Sequence, residues 1–416
     1  MKLFSDSIVR IVRNSFSTIL VRGIFGFARI IVLLLLAKTY GIREFGLFSL
    51  ILIFMEIAKV VSDLGVDIVS IRRFAADPKN VHAILESILG LKLLSATLGS
   101  VLTISVYAFL YGDSFGLTLL SIACVSIYTS LLLNAFVSYY QTQLSMEKII
   151  RAHLIGYGCY LAFSVIAILF RTSLILLMGI IPLTEGIILF LLIRRYTYNA
   201  PLRIRINIPF IRRLLSESIY VGLAGIAVVI YLRLDNVMIS RILDLKSVGQ
   251  YAFAYRLTEP FSLLFSSFGI SLYASLSSFL SIEAKVQERF VYAKKYLLGM
   301  LVVACVGILG YVLAVRPLLP MFSAEYAASG QVLLILSFVL IFKALNTQLT
   351  AILNSMGKFR IVSGITFINL VTSFILNFIF IPHFGIVGAA MAVVGTEFVN
   401  SLFQGGSLVY YYKLNN

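Results

Sequence analysis

The chain has 416 residues, 60% of them hydrophobic and only 12% charged, with a mean hydropathy of +1.00. So little polar surface excludes a soluble globular domain, whose exterior must face water. The net charge of +16 would suit nucleic acid in a soluble protein. Here, however, the basic residues fall mainly in short connections between apolar runs, which fits membrane lipids with anionic headgroups and argues against nucleic acid as a partner.

The apolar runs are continuous and roughly 20 residues or longer, the length an α-helix needs to cross about 30 Å of hydrocarbon. They lack the alternation of barrel strands, and helices are the other way to satisfy backbone polar groups in lipid. Met1 to Asn14 is an amphipathic stretch carrying Lys2, Arg10 and Arg13 with no cleavage site after it, so the first helix is expected to be retained as a span. Twelve spans are predicted, at roughly 16–37, 46–62, 84–110, 116–140, 152–170, 173–193, 214–240, 250–280, 296–315, 328–350, 361–381 and 386–411.

A charged side chain at mid-span costs about 2.5–3.5 kcal/mol, so it tends to face a cavity or a partner. Span one carries Arg22 and Arg29 on one face, with Arg29 roughly 20 Å from the cytoplasmic end of the helix. Two readings stay open. The pair is a ladder for a diphosphate, which arginine binds bidentately without losing its proton, or Arg29 makes an inter-helix ion pair while Arg22 snorkels. Span two has Glu56, Lys59 and Asp63 at steps of three and four, expected to neutralise one another along one face, with lumen lining as the alternative. Lys92, near the start of span three, is read as snorkelling to the headgroups. Glu185, beside Pro182 in span six, and Glu397 in span twelve are the candidates for a titrating coupling site.

In span seven Arg233 and Asp235 are two residues apart and so on different faces. Arg256 and Glu259 in span eight are three apart and expected to pair. Lys343, Thr347, Thr350 and Asn354 share a face of span ten; Asn369, Ser373 and Asn377 step along span eleven, and Glu397, Asn400 and Gln404 along span twelve. Such amides and hydroxyls suit sugar hydroxyls, and they equally glue helices together. Cys124, Cys159 and Cys305 lie inside apolar runs with no metal-ligand spacing, and His82, His153 and His383 make no HExxH-like pattern. No metal site, catalytic residue or resident cofactor is expected.

Charge asymmetry orients the spans. With the N-terminus inside, 21 of the 34 Lys and Arg fall in cytoplasmic segments, 6 in outer segments and 7 within spans, so both termini are expected in the cytoplasm. The longest polar connection, Arg194 to Arg213, contains six arginines with Pro201 and Pro209. It divides the chain into an N-terminal lobe (1–198, spans one to six), a basic cytoplasmic linker (199–213) and a C-terminal lobe (214–416, spans seven to twelve). The lobes read as parallel repeats. Gly41-Ile-Arg-Glu-Phe-Gly46 before span two matches Leu245-Lys-Ser-Val-Gly249 before span eight, and Ser145-Met-Glu-Lys148 matches Ser355-Met-Gly-Lys358, at offsets of about 203 and 210 residues.

Three segments carry a family resemblance. They are Ala37-Lys-Thr-Tyr-Gly-Ile-Arg-Glu-Phe-Gly-Leu-Phe48 with Ser62-Asp-Leu-Gly65, then Asp235 with Val248-Gly-Gln-Tyr-Ala-Phe-Ala-Tyr-Arg-Leu257, and then Asn354-Ser-Met-Gly-Lys358 through Ile381-Pro-His-Phe-Gly-Ile-Val-Gly-Ala-Ala390 to Glu397. On these the chain resembles the polysaccharide or O-antigen flippases of the multidrug/oligosaccharidyl-lipid/polysaccharide exporter superfamily. The resemblance implies an all-α polytopic protein of the bacterial inner membrane, with two six-helix lobes in a V around a central cavity. It further implies that undecaprenyl-diphosphate-linked oligosaccharide units of lipopolysaccharide or a similar polymer are flipped to the periplasmic leaflet by alternating access. A proton or sodium gradient would drive the cycle, and a polysaccharide polymerase and chain-length machinery would be partners. Candidate cavity residues are then Arg22, Arg29, Arg233, Asp235, Arg256 and Lys343. A cation or drug antiporter and a lipid II-type flippase are the alternatives within the superfamily. Lumenal arginines would repel cations, and lipid II flippases usually have more than twelve helices. A membrane polymerase or glycosyltransferase is the alternative from another class, against which the short outer loops speak.

Overall fold

A computed structural model of the protein describes residues 26, 28–143, 145–198, 201–281, 286–318 and 324–414. Among the described residues the regular structure is entirely helical: α1 (28–40), α2 (Ile42–Asp63), α3 (Val66–Ala76), α4 (Val81–Leu110), α5 (Ser114–Thr142), α6 (Met146–Leu169), α7 (Leu174–Thr197), α8 (Ile208–Ile242), α9 (Leu245–Ser281), α10 (Val286–Leu318), α11 (Ala327–Ser355) and α12 (Phe359–Leu414). Ten stretches among the described residues are long and apolar enough to cross a membrane. The last breaks at Gly385, whose φ of 59° and ψ of −138° suit a residue without Cβ. Each arm is itself long enough to cross. Predicted spans two to twelve therefore each have a helix, while half of span one, with Arg22, lies outside the described residues.

Two boundaries differ from expectation. α8 begins at Ile208 rather than near 214, because Asn207 Oδ1 accepts the Phe210 backbone N–H at 3.2 Å and Pro209 sits in the first turn, where its missing N–H does no harm. Arg72 and Arg73 lie on the short helix α3, not in a loop. Gly65 (φ 76°) makes the turn between α2 and α3.

The chain forms two compact units: Met1–Thr39 with Leu50–Val229, and Tyr40–Ser49 with Ile230–Asn416. In the first, α5 packs on α3, α4 and α7, and α6 packs on α7. Leu85, Ile88, Phe136 and Ile188 are fully enclosed there. In the second, α9, α10 and α12 pack around α11, with Phe265, Ala304 and Leu340 in the core. Apolar side chains also face outward in rows at helical spacing, such as Val302, Val306, Leu309 and Leu313 on α10. Continuous apolar rows of this kind are what acyl chains cover. This is a multi-pass membrane protein.

Candidate functional site

The first unit threads charges between its helices. Arg29 Nη2 on α1 donates to Glu56 Oε1 on α2 at 2.6 Å, with both side chains between a fifth and a quarter exposed. Lys59 Nζ on α2 donates to Glu185 Oε1 on α7 at 2.7 Å, and the other oxygen of Glu185 accepts from Ser126 and Thr129 on α5. Lys92 Nζ on α4, 1% exposed, donates to Asp63 at 2.8 Å and to Asp67 at 2.5 Å. Arg73 pairs with Glu217 on α8, and Glu86 on α4 takes the Arg205 side chain at 3.2 Å and its backbone N–H at 3.3 Å.

Two expectations are corrected here. Glu56, Lys59 and Asp63 do not neutralise one another; each reaches a different helix, because an ion pair across a helix interface also satisfies a charge that the neighbouring helix must place in the apolar layer. Lys92 does not snorkel: two carboxylates hold its ammonium in the protein interior, leaving no gain in reaching the headgroups.

The second unit carries an open cavity of about 390 Å³, within the range of small-molecule sites. It is lined by Tyr231, Leu232 and Arg233 of α8, Tyr255, Glu259 and Ser262 of α9, Lys343, Asn346, Thr347 and Thr350 of α11, and Glu397 and Asn400 of α12. Glu259 is held by Arg256, as the spacing of three predicts, and lies 3.7 Å from Arg233. Asn346 Nδ2 donates to Glu397 Oε2 at 2.7 Å, and Thr350 Oγ1 to Gln404 Oε1 at 3.0 Å, so the polar faces of α11 and α12 tie the helices together as well as lining the cavity. Lys343 Nζ sits 5.1 Å from the centre of the Tyr255 ring and 3.3 Å from Ser262 Oγ. The Arg233 guanidinium approaches the same ring at 5.6 Å. Asp235 is buried, accepting from Tyr251 and Asn236; it borders a smaller space beside Ser373 and Thr396 with room for about one water.

The structure thus gathers Arg233, Lys343 and Glu397 around one cavity, with Arg256 braced on Glu259; Arg29 and Glu185 belong to the ion pairs of the first unit. Sequence reasoning missed Tyr231, Tyr255 and Ser262. Only the signal for Ser262 was present, three residues after Glu259 on one face of α9. Among the described residues no group of three or more His, Cys, Asp or Glu is placed to hold a metal ion.

The family model described as polysaccharide biosynthesis protein matches residues 11–273. The chain belongs to this family. The probable low-salt glycan biosynthesis flippase Agl15 of Haloferax volcanii is 27% identical over 195 residues, 46% of this chain and 41% of that protein. Matches to the curated relatives span only 32–41% of their lengths. Among solved structures, lipid II flippase MurJ in an inward closed conformation superposes with a TM-score of 0.77 at 17% identity, over 95% of this chain and 87% of that one. An inward-facing multidrug resistance MATE transporter of the MOP superfamily gives 0.72 at 12% identity, over 98% and 99%. At such identities the likeness establishes the fold, which this polysaccharide biosynthesis protein shares with MurJ and MATE transporters.

Proposed function

We propose that the protein is a transporter that flips a lipid-linked oligosaccharide across the membrane by alternating access. The observation that carries this reading is the cavity of the second unit. A chain apolar enough to live in lipid keeps there a chamber lined by amides, hydroxyls, tyrosines, two cations and two carboxylates. Polar lining in a membrane-spanning bundle is costly unless it serves a polar passenger. Sugars are such a passenger, and membership of a polysaccharide biosynthesis family supports the choice.

The finer reading is an undecaprenyl-diphosphate-linked repeat unit carried from the cytoplasmic to the periplasmic leaflet of a bacterial inner membrane. Arg29, with Arg22 seven residues before it in the sequence, is the proposed ligand of the diphosphate, exchanging Glu56 for phosphate oxygens during the cycle. Arg233 and Arg256 position Glu259 at the cavity wall. Glu185 and Glu397 are the proposed coupling groups for a proton or sodium gradient, and a polymerase with chain-length machinery would receive the product.

Complementation of a host lacking its own surface-polysaccharide flippase tests the arginine. Arg29→Ala and Arg29→Lys should both lower surface polysaccharide at least tenfold at equal protein level, the lysine failing because it offers no bidentate fork. The double variant Arg29→Ala/Glu56→Gln should stay defective. Recovery in the double variant would reduce Arg29 to a structural partner of Glu56 and remove it from the mechanism.

A further inference from the structure

The cations of the two units differ in one respect. Arg29, Lys59, Arg73, Lys92, Arg233 and Arg256 are all in ion pairs. Lys343, half-buried on the cavity wall, is in none among the described residues. Its contacts are the Ser262 hydroxyl at 3.3 Å and the face of Tyr255. Glu397, on the same wall, is instead bound by Asn346 at 2.7 Å. The Glu397 carboxylate acts on this ammonium from beyond ion-pair distance, so among the described residues no anion touches it. An arriving anion would complete it.

The lining limits what that anion is. Arg233 and Lys343 are balanced in formal charge by Glu259 and Glu397, and Arg233 is already engaged with Glu259. A diphosphate would bring at least two negative charges against one cation that no carboxylate touches directly, with two carboxylates opposing it. A single carboxylate matches one ammonium, a compact point charge rather than a bidentate fork. Around that ammonium are the groups a sugar ring needs. Ser262, Thr347 and Thr350 on the same wall offer hydroxyl oxygens as acceptors to a sugar's hydroxyls.

We propose that this cavity is a saccharide subsite selecting a carboxylate-bearing pyranose, an acidic sugar of the hexuronate class, with Lys343 as the ligand of its carboxylate. The proposal rests on the flippase reading and deepens it: it makes an acidic repeat unit the substrate and keeps the lipid diphosphate out of this cavity.

The test is equilibrium binding by calorimetry to the full-length protein in detergent, with methyl glucuronide, methyl glucoside and inorganic phosphate as probes. Methyl glucuronide should bind at least tenfold more tightly than methyl glucoside, and phosphate should not displace it. Lys343→Met should weaken glucuronide binding at least tenfold and Lys343→Arg should restore part of it, while thermal unfolding of both variants reports whether the fold is kept. The comparison of the three probes on the unaltered protein stands even if the variants fail to fold. Equal binding of glucuronide and glucoside, or no binding of glucuronide, overturns the proposal. Binding of phosphate in competition with glucuronide overturns it in favour of a headgroup site. A protein that flips neutral and acidic lipid-linked glycans alike would refute this inference and leave the flippase reading standing; glucuronide binding without any flipping would do the reverse.

Discussion

Lys92 shows how a buried charge holds this protein together. Its ammonium lies between Asp63 and Asp67, which flank the left-handed turn at Gly65, so one side chain of α4 fixes the junction of α2 and α3. Removing one partner of a buried ion pair costs roughly 3–5 kcal/mol, because the others are left uncompensated. The two aspartates here are less enclosed than the lysine, so the lower end applies. Lys92→Met should lower the midpoint of thermal unfolding in detergent, and Asp63→Asn/Asp67→Asn in the same background should recover much of the loss. An unchanged midpoint in Lys92→Met would contradict this role. The sequence could show that Lys92, Glu56 and Asp63 needed partners; it could not show which, since those partners lie 29, 27 and 29 residues away. Only the local pair was legible: Arg256 and Glu259 share a helix, and spacing alone joins them.

The helices were legible because crossing lipid demands one kind of element of one length. Breaks within helices were harder to read. The chain turns at Gly385, as the Pro382 to Gly385 run suggested, but α3 was hidden because its apolar residues continue those of α2. The two matching glycine segments acquire a physical role. Gly46 on α2 and Gly249 on α9 belong to the same unit, and their helices cross in contact. A Cβ on Gly46 would stand 2.0 Å from the Leu245 carbonyl oxygen, and one on Gly249 would stand 2.2 Å from that of Ile42. The contact is reciprocal, each copy of the motif packing on the other. Gly46→Ala or Gly249→Ala must push two backbones apart, at a cost of about 1–3 kcal/mol. Gly158→Ala on α6, where the added methyl meets nothing within 4 Å, should be neutral or slightly stabilising. Unfolding midpoints of the three variants compare these directly; equal values would mean that the crossing is not tight.

At the scale of the whole molecule, apolar helices with paired charges in one unit and a polar chamber in the other are what the proposed carriage of something hydrophilic past lipid requires. The chamber was legible in part. Lys343, Thr347 and Thr350 announced a polar face, whereas the aromatic wall from Tyr231 and Tyr255 emerged only when α8 and α9 were brought together, because a lone Tyr in an apolar run reads as core or interface. The central claim concerns transport of an amphiphile, and it is tested most directly in liposomes containing the purified protein and a fluorescent undecaprenyl-diphosphate-linked acidic oligosaccharide. The fraction of sugar open to an external enzyme or quencher is followed in time. The account expects the labelled lipid to exchange between leaflets with the protein present, at least tenfold more slowly with Arg29→Ala, and not measurably in protein-free vesicles. Exchange no faster with the protein than without it would contradict the account.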